Sequence, residues 1–426
     1  MLKEYGLHET TGGSNPRRAI FGFAACLMIL SLVLTSACAQ SIIPAETPRS
    51  SSIYTVPSNP ISERDLPVET TEPTGFFGDQ GLADVLDPAL DSAYQGTVLI
   101  WKDGEVILED CSGFSDVEGE ILCSPETTYE VGFITRQFTA VTAMKLFEEG
   151  ALDPDAFVSE YIPEYVYADK ITVRMLLSMT SGIPDYLVET IADRKYTEGL
   201  LQKGLTTGKS LTAIDGFGSL DSSFETVLAT VQEKPLLFEP GTDFAISNTG
   251  YVFLAEIIER VSEIPYIHFV QKYILTPAGL DTASFSPSFD TATGYVCKEN
   301  MQYLAPDSPL VADGGLRMTA NDMLKWMRIV SDRQLLKPET WNMILDPGAG
   351  LFGIGFTMLS DGSIVEKSDA GGFSSTVAYV PSADLLVIIL LNRNSEVRWA
   401  DPVTEAVFDY YGIGAEQEVV ETDESE

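Results

Sequence analysis

Residues 128–150 limit what this chain can fold into more than any other part of its sequence. The stretch reads TYEVGFITRQFTAVTAMKLFEEG, and its large apolar side chains recur at helical spacing. Thr139, Thr142 and Lys145 leave only a narrow polar stripe, and Gly150 stands where a glycine often ends a helix. The pattern predicts a helix buried in the core of a large domain. The apolar positions are Phe133, Ile134, Phe138, Val141, Met144 and Phe147.

Strand patterns stand at both ends of the domain, and helical patterns stand between them. Residues 96–101 and 105–109 predict two strands joined by a turn, and a second group of strands is predicted near the C terminus. This order predicts an α/β (α+β) fold, with a mostly antiparallel sheet built from the N- and C-terminal segments and an inserted helical lobe. The C-terminal strands are predicted at 352–358, 363–366, 376–380 and 385–391, and further helices at 171–182, 224–232, 251–261, 266–275, 320–331 and 399–411.

The first 38 residues predict an export signal peptide or a membrane anchor. Three basic residues precede the apolar run 19–37, which carries no charge. Three outcomes remain open: lipid attachment at Cys38, as in a bacterial lipoprotein, cleavage at Ala37-Cys38-Ala39, or an uncleaved membrane-spanning anchor. Each of them places the rest of the chain outside the cytoplasm, at the bacterial cell surface or in the periplasm.

Composition divides the remaining chain into three parts. Residues 39–75 are rich in Ser, Pro and Thr and predict an extended linker, residues 76–413 form the predicted folded domain, and residues 414–426 form an acidic tail. The net charge of −37 makes nucleic acid and anionic lipid unfavourable partners. Contact with the membrane is therefore expected only through the N-terminal anchor.

Cysteine and histidine usage restricts the chemistry further. Cys111 and Cys123 flank a short segment rich in turn residues, and they are candidates for a disulfide in an oxidising compartment. The two histidines are His8, before the signal, and His268, within a helical pattern, so a histidine-based triad in the mature chain would need His268. No metal-ligand spacing occurs, and no cofactor is implied.

Five stretches, in order, resemble the serine β-lactamase and penicillin-binding-protein family, particularly its class C and esterase-like branch. The resemblance covers about residues 96–394 and implies a β-lactamase/transpeptidase-like fold. It does not by itself imply activity, because function depends on the site. The stretches are YEVGFITRQFTA at 129–140, LLSMTSGIPDY at 176–186, PGTDFAISNTGY at 240–251, GGLRMTAND at 314–322 and GFSS at 372–375.

The family's first motif, Ser-x-x-Lys, coincides with the positions of Phe133 and Arg136. In the family the serine is the nucleophile, and the lysine one turn later shares its helix face and takes its proton. Phenylalanine has no nucleophilic atom, and arginine stays protonated at neutral pH. The resemblance therefore implies that the family's acyl-serine mechanism is absent.

The other two motifs are also altered. The family's Tyr-x-Asn or Ser-x-Asn corresponds to Ile246, Ser247 and Asn248, which keeps the amide but loses the hydroxyl of the first position. The third motif, Lys-Thr/Ser-Gly, has two open registers, beginning at Glu366 or at Lys367. The second register keeps a lysine followed by Ser368, but it loses the glycine that lets a substrate approach the strand.

The sequence thus predicts a surface-tethered, catalytically inactive member of this family that acts as a binding or regulatory module. Its ligand is expected to be a cell-wall peptide, a small amphiphilic molecule or a protein partner. The alternative is a serine-hydrolase-type enzyme, a D-amino-acid peptidase, β-lactamase or esterase, with a non-standard site. Oligomeric state is left open. The residues predicted to line the former active-site cleft are Phe133, Arg136, Met179, Ile246, Asn248, Lys367 and Ser368.

Overall fold

The computed structural model describes the predicted domain and leaves most of the flanking segments out. It describes residues 61–62, 76–77, 79–86, 94–193, 220–298, 301–305, 308–347, 352–394 and 400–413. The predicted export segment 1–38, including Cys38, and the acidic tail 414–426 lie outside the described residues. Within those ranges, none of the helices has the length and apolar character needed to cross a membrane.

A six-stranded antiparallel sheet joins the two ends of the domain, as the sequence predicts. In chain order its strands are β1 Phe76–Phe77, β2 Gly96–Lys102, β3 Glu105–Ser112, β4 Ile364–Ala370, β5 Phe373–Val380 and β6 Leu385–Leu391. Their order across the sheet is β4-β5-β6-β2-β3-β1. Ile388 in β6 pairs with Val377 on one side and with Leu99 on the other. Every residue of β6 is buried, which explains its continuous apolar sequence.

Helices fill the chain between β3 and β4 and form the predicted inserted lobe. A π-helical turn, Gln271–Leu275, continues one of them, and single 3-10 turns lie at Gly132–Ile134, Val158–Glu160 and Pro381–Ala383. In the described part of the chain the α-helices are α1 Gln80–Leu86, α2 Thr135–Glu148, α3 Val173–Leu177, α4 Tyr186–Asp193, α5 Phe224–Val231, α6 Asn248–Ser262, α7 Tyr266–Val270, α8 Ala320–Ser331, α9 Pro338–Ile344 and α10 Ala400–Tyr410.

Short strands outside the main sheet form three smaller sheets in the described part of the chain. Ile61–Ser62 lies within the predicted linker and pairs with Met301–Gln302, so this part of the linker adds a strand to a small sheet. Tyr129–Glu130 pairs with Arg317–Met318 just before α2. The remaining short strands are Phe114–Asp116, Ile121–Leu122, Tyr295–Lys298, Met301–Leu304 and Arg393–Asn394.

The two faces of the main sheet bury different sets of residues. Leu99 and Ile388 belong to the large core that contains α2, whereas Ile100 and Val387 pack with apolar residues of α1 and α10. Successive side chains of a strand point to opposite faces, so this sheet is covered on both sides. Helix α8 packs on the inner face against β2 and β6, and the turn Gly132–Ile134, which leads into α2, packs against β4 and β5.

Helix α2 is buried, as predicted, but it begins later than the sequence pattern suggests. Eleven of its residues are buried, including Thr139, whose hydroxyl donates to the carbonyl oxygen of Ala312 at 2.6 Å. The helix starts at Thr135 rather than near residue 128, because the preceding segment forms the short strand described above. Gly132 then bends the chain with a φ of +55°.

Residues 352–358, predicted as a strand, instead form turns joined by isolated bridges such as Phe352 with Thr357. Gly355 explains this difference. A Cβ atom there would lie 2.4 Å from the Cβ of Ala140, so the glycine lets this loop pack directly on α2. The apolar residues of 352–358 are therefore explained by burial against α2 and not by pairing in a strand.

Candidate functional site

The 3-10 turn Gly132–Ile134, which leads into α2, is fixed to strand β4 through Gly132, Phe133 and Ser368. The backbone N–H of Phe133 donates to the hydroxyl oxygen of Ser368 at 2.9 Å. A Cβ atom at position 132 would lie 2.1 Å from the same oxygen, so only glycine fits between the strand and the turn. The backbone N–H at the start of the helix is therefore already occupied by a side chain of this protein.

Arg136 folds back over the same turn. Its Nε donates to the carbonyl oxygen of Phe133 at 3.0 Å, and its guanidinium carbon lies 5.0 Å from the centre of the Phe133 ring. The arginine is only 6% exposed, and Phe133 is half-buried. This geometry combines a cation–π contact with a backbone hydrogen bond and fills the space beside the turn.

Successive side chains of strand β4 lie on opposite faces of the sheet, and this separates its carboxylate and hydroxyl from its lysine. Glu366 and Ser368 are buried on the inner face, whereas Lys367 is exposed and lies on the opposite face. The structure thus brings Ser368 to Phe133 but does not bring Lys367 there. The Glu366 carboxylate accepts from the backbone N–H of Thr357 at 2.7 Å. Burial raises the pKa of Glu366, and the nearby Arg136 guanidinium opposes that rise.

The start of α6 forms a second part of the site. Ile246 is 56% exposed, whereas Ser247 and Asn248 are buried. Met179 is also buried, has a φ of +59°, and its sulfur accepts from the backbone N–H of Ser247 at 3.3 Å. Met179 therefore packs beneath the protein surface, in contact with the backbone of Ser247, and does not line an open cleft.

Asn248 is held by the carboxylate of Asp185, which was not among the predicted site residues. Oδ2 of Asp185 accepts from the backbone N–H of Asn248 at 2.9 Å and from its side-chain Nδ2 at 2.8 Å. Oδ1 of Asp185 accepts from the backbone N–H of Leu187 at 2.8 Å, in the first turn of α4. One carboxylate thus joins the N-terminal ends of α4 and α6. Burial raises the pKa of Asp185, and these hydrogen bonds oppose the rise.

A second buried carboxylate, Asp313, lies in the same region. It is fully buried and accepts from the hydroxyl of Tyr186 at 3.0 Å. Burial raises the pKa of Asp313 to about 7. The hydrogen bond from Tyr186 and the positive charge of Arg136 oppose this rise, whereas the negative charge of Asp185 adds to it. The sequence signal that contained Asp185 was the stretch LLSMTSGIPDY at 176–186, one of those that carry the family resemblance. Asp313, next to two glycines in a loop, carried no such signal.

Comparison with known proteins decides the family. The model of the beta-lactamase family matches residues 82–410, more than three quarters of the chain. The chain belongs to the beta-lactamase family. It is 26% identical over 314 residues to the putative penicillin-binding protein PbpX of Bacillus subtilis (strain 168), covering 72% of each chain. It is 25% identical to Protein flp of Staphylococcus aureus (strain COL), where the match spans 70% of this chain and only 60% of that relative's length.

Solved structures agree with this beta-lactamase-family assignment. The octameric penicillin-binding protein homologue from Pyrococcus abyssi superposes with a TM-score of 0.64 and 25% identity, covering 78% of this chain and 77% of that one. D-amino acid amidase from Ochrobactrum anthropi SV3, at 19% identity, has a TM-score of 0.61 over 78% of this chain and 99% of that one. The second likeness shows a shared fold.

On this beta-lactamase-family scaffold, the predicted cleft residues fall into two groups. Phe133, Arg136 and Ser368 are in contact at the start of α2, and Ile246 with Asn248 occupies the start of α6. Arg136 lies within electrostatic range of Asp313 and of Tyr251, which is one turn along α6 from Asn248. His268 is exposed on α7, so no histidine of the described residues belongs to this cluster.

The two cysteines considered for a disulfide are buried as separate thiols in the structure. The Thr97 hydroxyl oxygen lies 3.5 Å from the sulfur of Cys111 and 2.9 Å from the hydroxyl of Tyr129, which in turn interacts with Cys123. Burial raises the pKa of the Cys111 thiol to about 11 and that of Cys123 to about 12, so little reactive thiolate is present at neutral pH. The disulfide stays a prediction for an oxidising compartment.

Proposed function

We propose that this beta-lactamase-family protein is a catalytically silent binding module that is exported and tethered at the cell surface. The observation that carries the proposal is the pairing of Phe133, in the turn before α2, with Arg136, in the first turn of α2. These are the positions at which the family resemblance places the nucleophile and its base. Both side chains are engaged with each other, and neither supports acyl transfer.

The chemistry of the two residues supports catalytic silence. Phe133 offers no oxygen or sulfur to form an acyl intermediate. A guanidinium keeps its proton at neutral pH, so Arg136 cannot serve as a general base. The Phe133 N–H, a backbone donor of the kind that stabilises an oxyanion, is taken by Ser368.

Ser368 is the residue through which the alternative function, a hydrolase with a non-standard site, would operate. Its hydroxyl reaches the turn, and Glu366 lies two residues away on the same strand face. The serine oxygen, however, accepts a hydrogen bond from Phe133, and Ser368 is only 5% exposed. Both observations favour a structural role for this serine.

Exposed apolar surface beside the cluster supports binding. Ile246 is 56% exposed and Phe244 is 47% exposed, and both precede α6 in one loop. Phe244 also packs against Phe352, with 5.8 Å between ring centres. An apolar rim next to buried polar groups is typical of sites for small amphiphilic molecules and peptides. The name of the PbpX relative, a penicillin-binding protein, makes a cell-wall peptide the first candidate.

A thermal-shift measurement with cell-wall peptides tests the binding function. We expect the peptides to raise the melting temperature of the purified protein and to lose this effect in Ile246→Lys, which places a charge on the apolar rim. Ile267→Lys is the matched control, because Ile267 is 39% exposed on α7. Equal shifts in all three proteins, or no shift in any of them, would contradict the proposal.

A further inference from the structure

The predicted linker contributes a strand to the folded domain. Ile61–Ser62, the linker strand, pairs antiparallel with Met301–Gln302. It lies at the edge of the small four-stranded sheet, beside the hairpin 295–304, which is formed by Tyr295–Lys298 and Met301–Leu304. A strand of two residues forms few backbone hydrogen bonds, so its pairing opens at a small fraction of the free energy that unfolds the domain.

Hairpin 295–304 is bonded to the turn that joins β4 and β5. The backbone N–H of Tyr295 donates to the carbonyl oxygen of Gly372 at 3.1 Å and to that of Asn392, just after β6, at 2.9 Å. The N–H of Ala305 donates to the carbonyl oxygen of Gly294 at 2.9 Å and closes the open end of the hairpin. This end of the hairpin is therefore fixed to the main sheet.

Two glycines leave no free space at this contact. A Cβ atom on Gly372 would lie 2.4 Å from the Cβ of Ala305 and 2.7 Å from the backbone nitrogen of Tyr295. A Cβ atom on Gly294 would lie 2.5 Å from the carbonyl oxygen of Gly371. Close-packed atoms do not move independently, so a shift of the hairpin also shifts the turn Gly371–Gly372.

The turn continues into the part of β4 that contacts the site. Ala370, the last residue of β4, directly precedes the turn, and its Cβ lies 3.6 Å from where a Cβ atom on Gly132 would be. Two residues earlier, Ser368 accepts from the backbone N–H of Phe133 at 2.9 Å. An unbroken series of contacts thus joins the linker strand to Phe133 through the hairpin, the turn and β4.

We propose that the linker strand is a strap that couples the membrane tether to the site around Phe133. While it is paired, it holds hairpin 295–304 against Gly371–Gly372 and keeps β4 against the turn that leads into α2. When the strand leaves, the hairpin and the turn loosen, and with them the hydrogen bond between Ser368 and Phe133. By linkage, a ligand that requires this hydrogen bond favours the paired strap to the same degree.

The position of the linker strand in the chain makes the tether the element that acts on it. Residues 39–60 separate the predicted lipid attachment at Cys38 from Ile61, and these 22 residues span at most about 80 Å when extended. Among the described residues, Ile61 is the first that a pull along this segment reaches. The strap goes beyond the proposed binding function and uses only its tether.

Hydrogen exchange, followed by mass spectrometry on the full-length protein, tests the strap. The test variant carries Ile61→Pro and Ser62→Pro, because proline has no backbone N–H and neighbouring residues of an antiparallel strand bond alternately. We expect segment 295–305 to exchange at least about tenfold faster, and segment 366–374 at least about threefold faster, than in the unmodified protein. Unchanged exchange in either segment would overturn the strap.

Ser51→Pro with Ser52→Pro is the matched control, since it places the same two prolines in the linker before the strand. We expect both segments to exchange in this control as they do in the unmodified protein. Helix α9 is the internal reference in every sample, because it packs against α2. Equal acceleration in the control and in the test variant would overturn the assignment to Ile61–Ser62.

A substitution at the other end of the contact series tests the coupling in reverse. Gly372→Ala adds a Cβ atom against Ala305, whereas Gly362→Ala adds one with no other atom within 4 Å. The two glycines have φ values of +80° and +85°, so both variants share the backbone cost. We expect segment 301–305, which includes the partner of the linker strand, to exchange at least about fivefold faster in Gly372→Ala than in Gly362→Ala. Equal exchange in two variants with the same circular dichroism would overturn the coupling.

These exchange measurements use no ligand, so the strap and the proposed binding function fail separately. A thermal shift by cell-wall peptides, together with unchanged exchange in the proline variant, would refute the strap and leave the binding module standing. Faster exchange in the proline variant, without a thermal shift in any protein, would support the strap and refute the binding module.

Discussion

Gly132 lies where strand β4 and the turn that leads into α2 are in close contact. Its φ is +55°, and a Cβ atom there would lie 2.1 Å from the Ser368 hydroxyl oxygen. We expect Gly132→Ala to lower the free energy of unfolding by about 3 kcal/mol, because it combines backbone strain with this clash. Urea unfolding measures the loss.

Gly150→Ala is the matched control for that prediction. Gly150 has a φ of +72°, and a Cβ atom at this position would have no other atom within 4 Å, so only the backbone cost of about 1 kcal/mol applies. Equal losses in the two variants would show that the contact with Ser368 does not constrain the turn.

Asp313 gives the stability of the protein a specific pH dependence. Its pKa is raised from 3.8 to about 7 in the folded state, so between pH 4 and 7 the folded protein holds a proton that the unfolded chain has released. Stability from this group is therefore complete below pH 4 and falls as the pH rises to 7, by about 4 kcal/mol at 1.36 kcal/mol per pKa unit. Asp313→Asn removes this loss.

The measurement for Asp313 is the difference in free energy of unfolding between Asp313→Asn and the unmodified protein, taken from pH 4 to pH 8. We expect the difference to increase with pH in favour of the variant. Asp155→Asn serves as the control, because Asp155 is exposed and its pKa is lowered by the Arg174 hydrogen bond. A difference that does not change with pH would contradict the account of Asp313.

At the scale of elements, the carboxylate of Asp185 connects two helices that are far apart in the chain. It accepts from Leu187 at the start of α4 and from Asn248 at the start of α6. We expect Asp185→Ala to lower the free energy of unfolding by about 3 kcal/mol, because a helix cap and the partner of a buried amide are lost together.

An exposed carboxylate just before a helix provides the comparison for Asp185; Ser223 caps that helix, α5, and Asp221 precedes it. Asp221 accepts from the backbone N–H of Ser223 at 2.9 Å and from the Thr226 hydroxyl at 2.7 Å, both at the surface. Asp221→Ala should cost about 1 kcal/mol or less in the same urea experiment. If the two variants lose the same stability, Asp185 acts as an ordinary cap and does not join the helices.

The elements also show what sequence reasoning can reach. Helix Ala320–Ser331 and strand Leu385–Leu391 have the predicted bounds, because their apolar periods are long and uninterrupted. Helix α2 starts seven residues later than the apolar pattern suggested, since pairing of Tyr129–Glu130 with Arg317–Met318 is a long-range contact that no local pattern contains.

Only those site residues that lie in a family motif could be predicted from the sequence. Phe133 and Ser368 were identified from the motifs and do meet in the structure. The two registers considered for β4 could not be separated from sequence; in the fold, Glu366 and Ser368 face inward, and Lys367 faces outward. Asp313 was missed because its role depends on partners from α2 and α4, which only the tertiary fold brings together.

At the scale of the whole molecule, the net charge of −37 opposes folding through self-repulsion. Raising NaCl from about 0.01 M to about 0.5 M at pH 7 shortens the screening length from about 30 Å to below 10 Å. We expect the melting temperature to rise by roughly 3 °C, and the rise to shrink near pH 4, where about half of exposed carboxylates are protonated. An equal rise at both pH values would indicate that charge repulsion is not its cause.

Covalent labelling tests the central claim, catalytic silence on a beta-lactamase-family scaffold, most directly. The purified protein is incubated with a penicillin probe and separately with a fluorophosphonate, and its intact mass is measured beside that of an active serine β-lactamase treated in parallel. Because Phe133 offers no nucleophile and Arg136 no base, we predict an unchanged mass with both reagents. A stoichiometric adduct on any serine, with Ser368 the first to be mapped, would contradict the account.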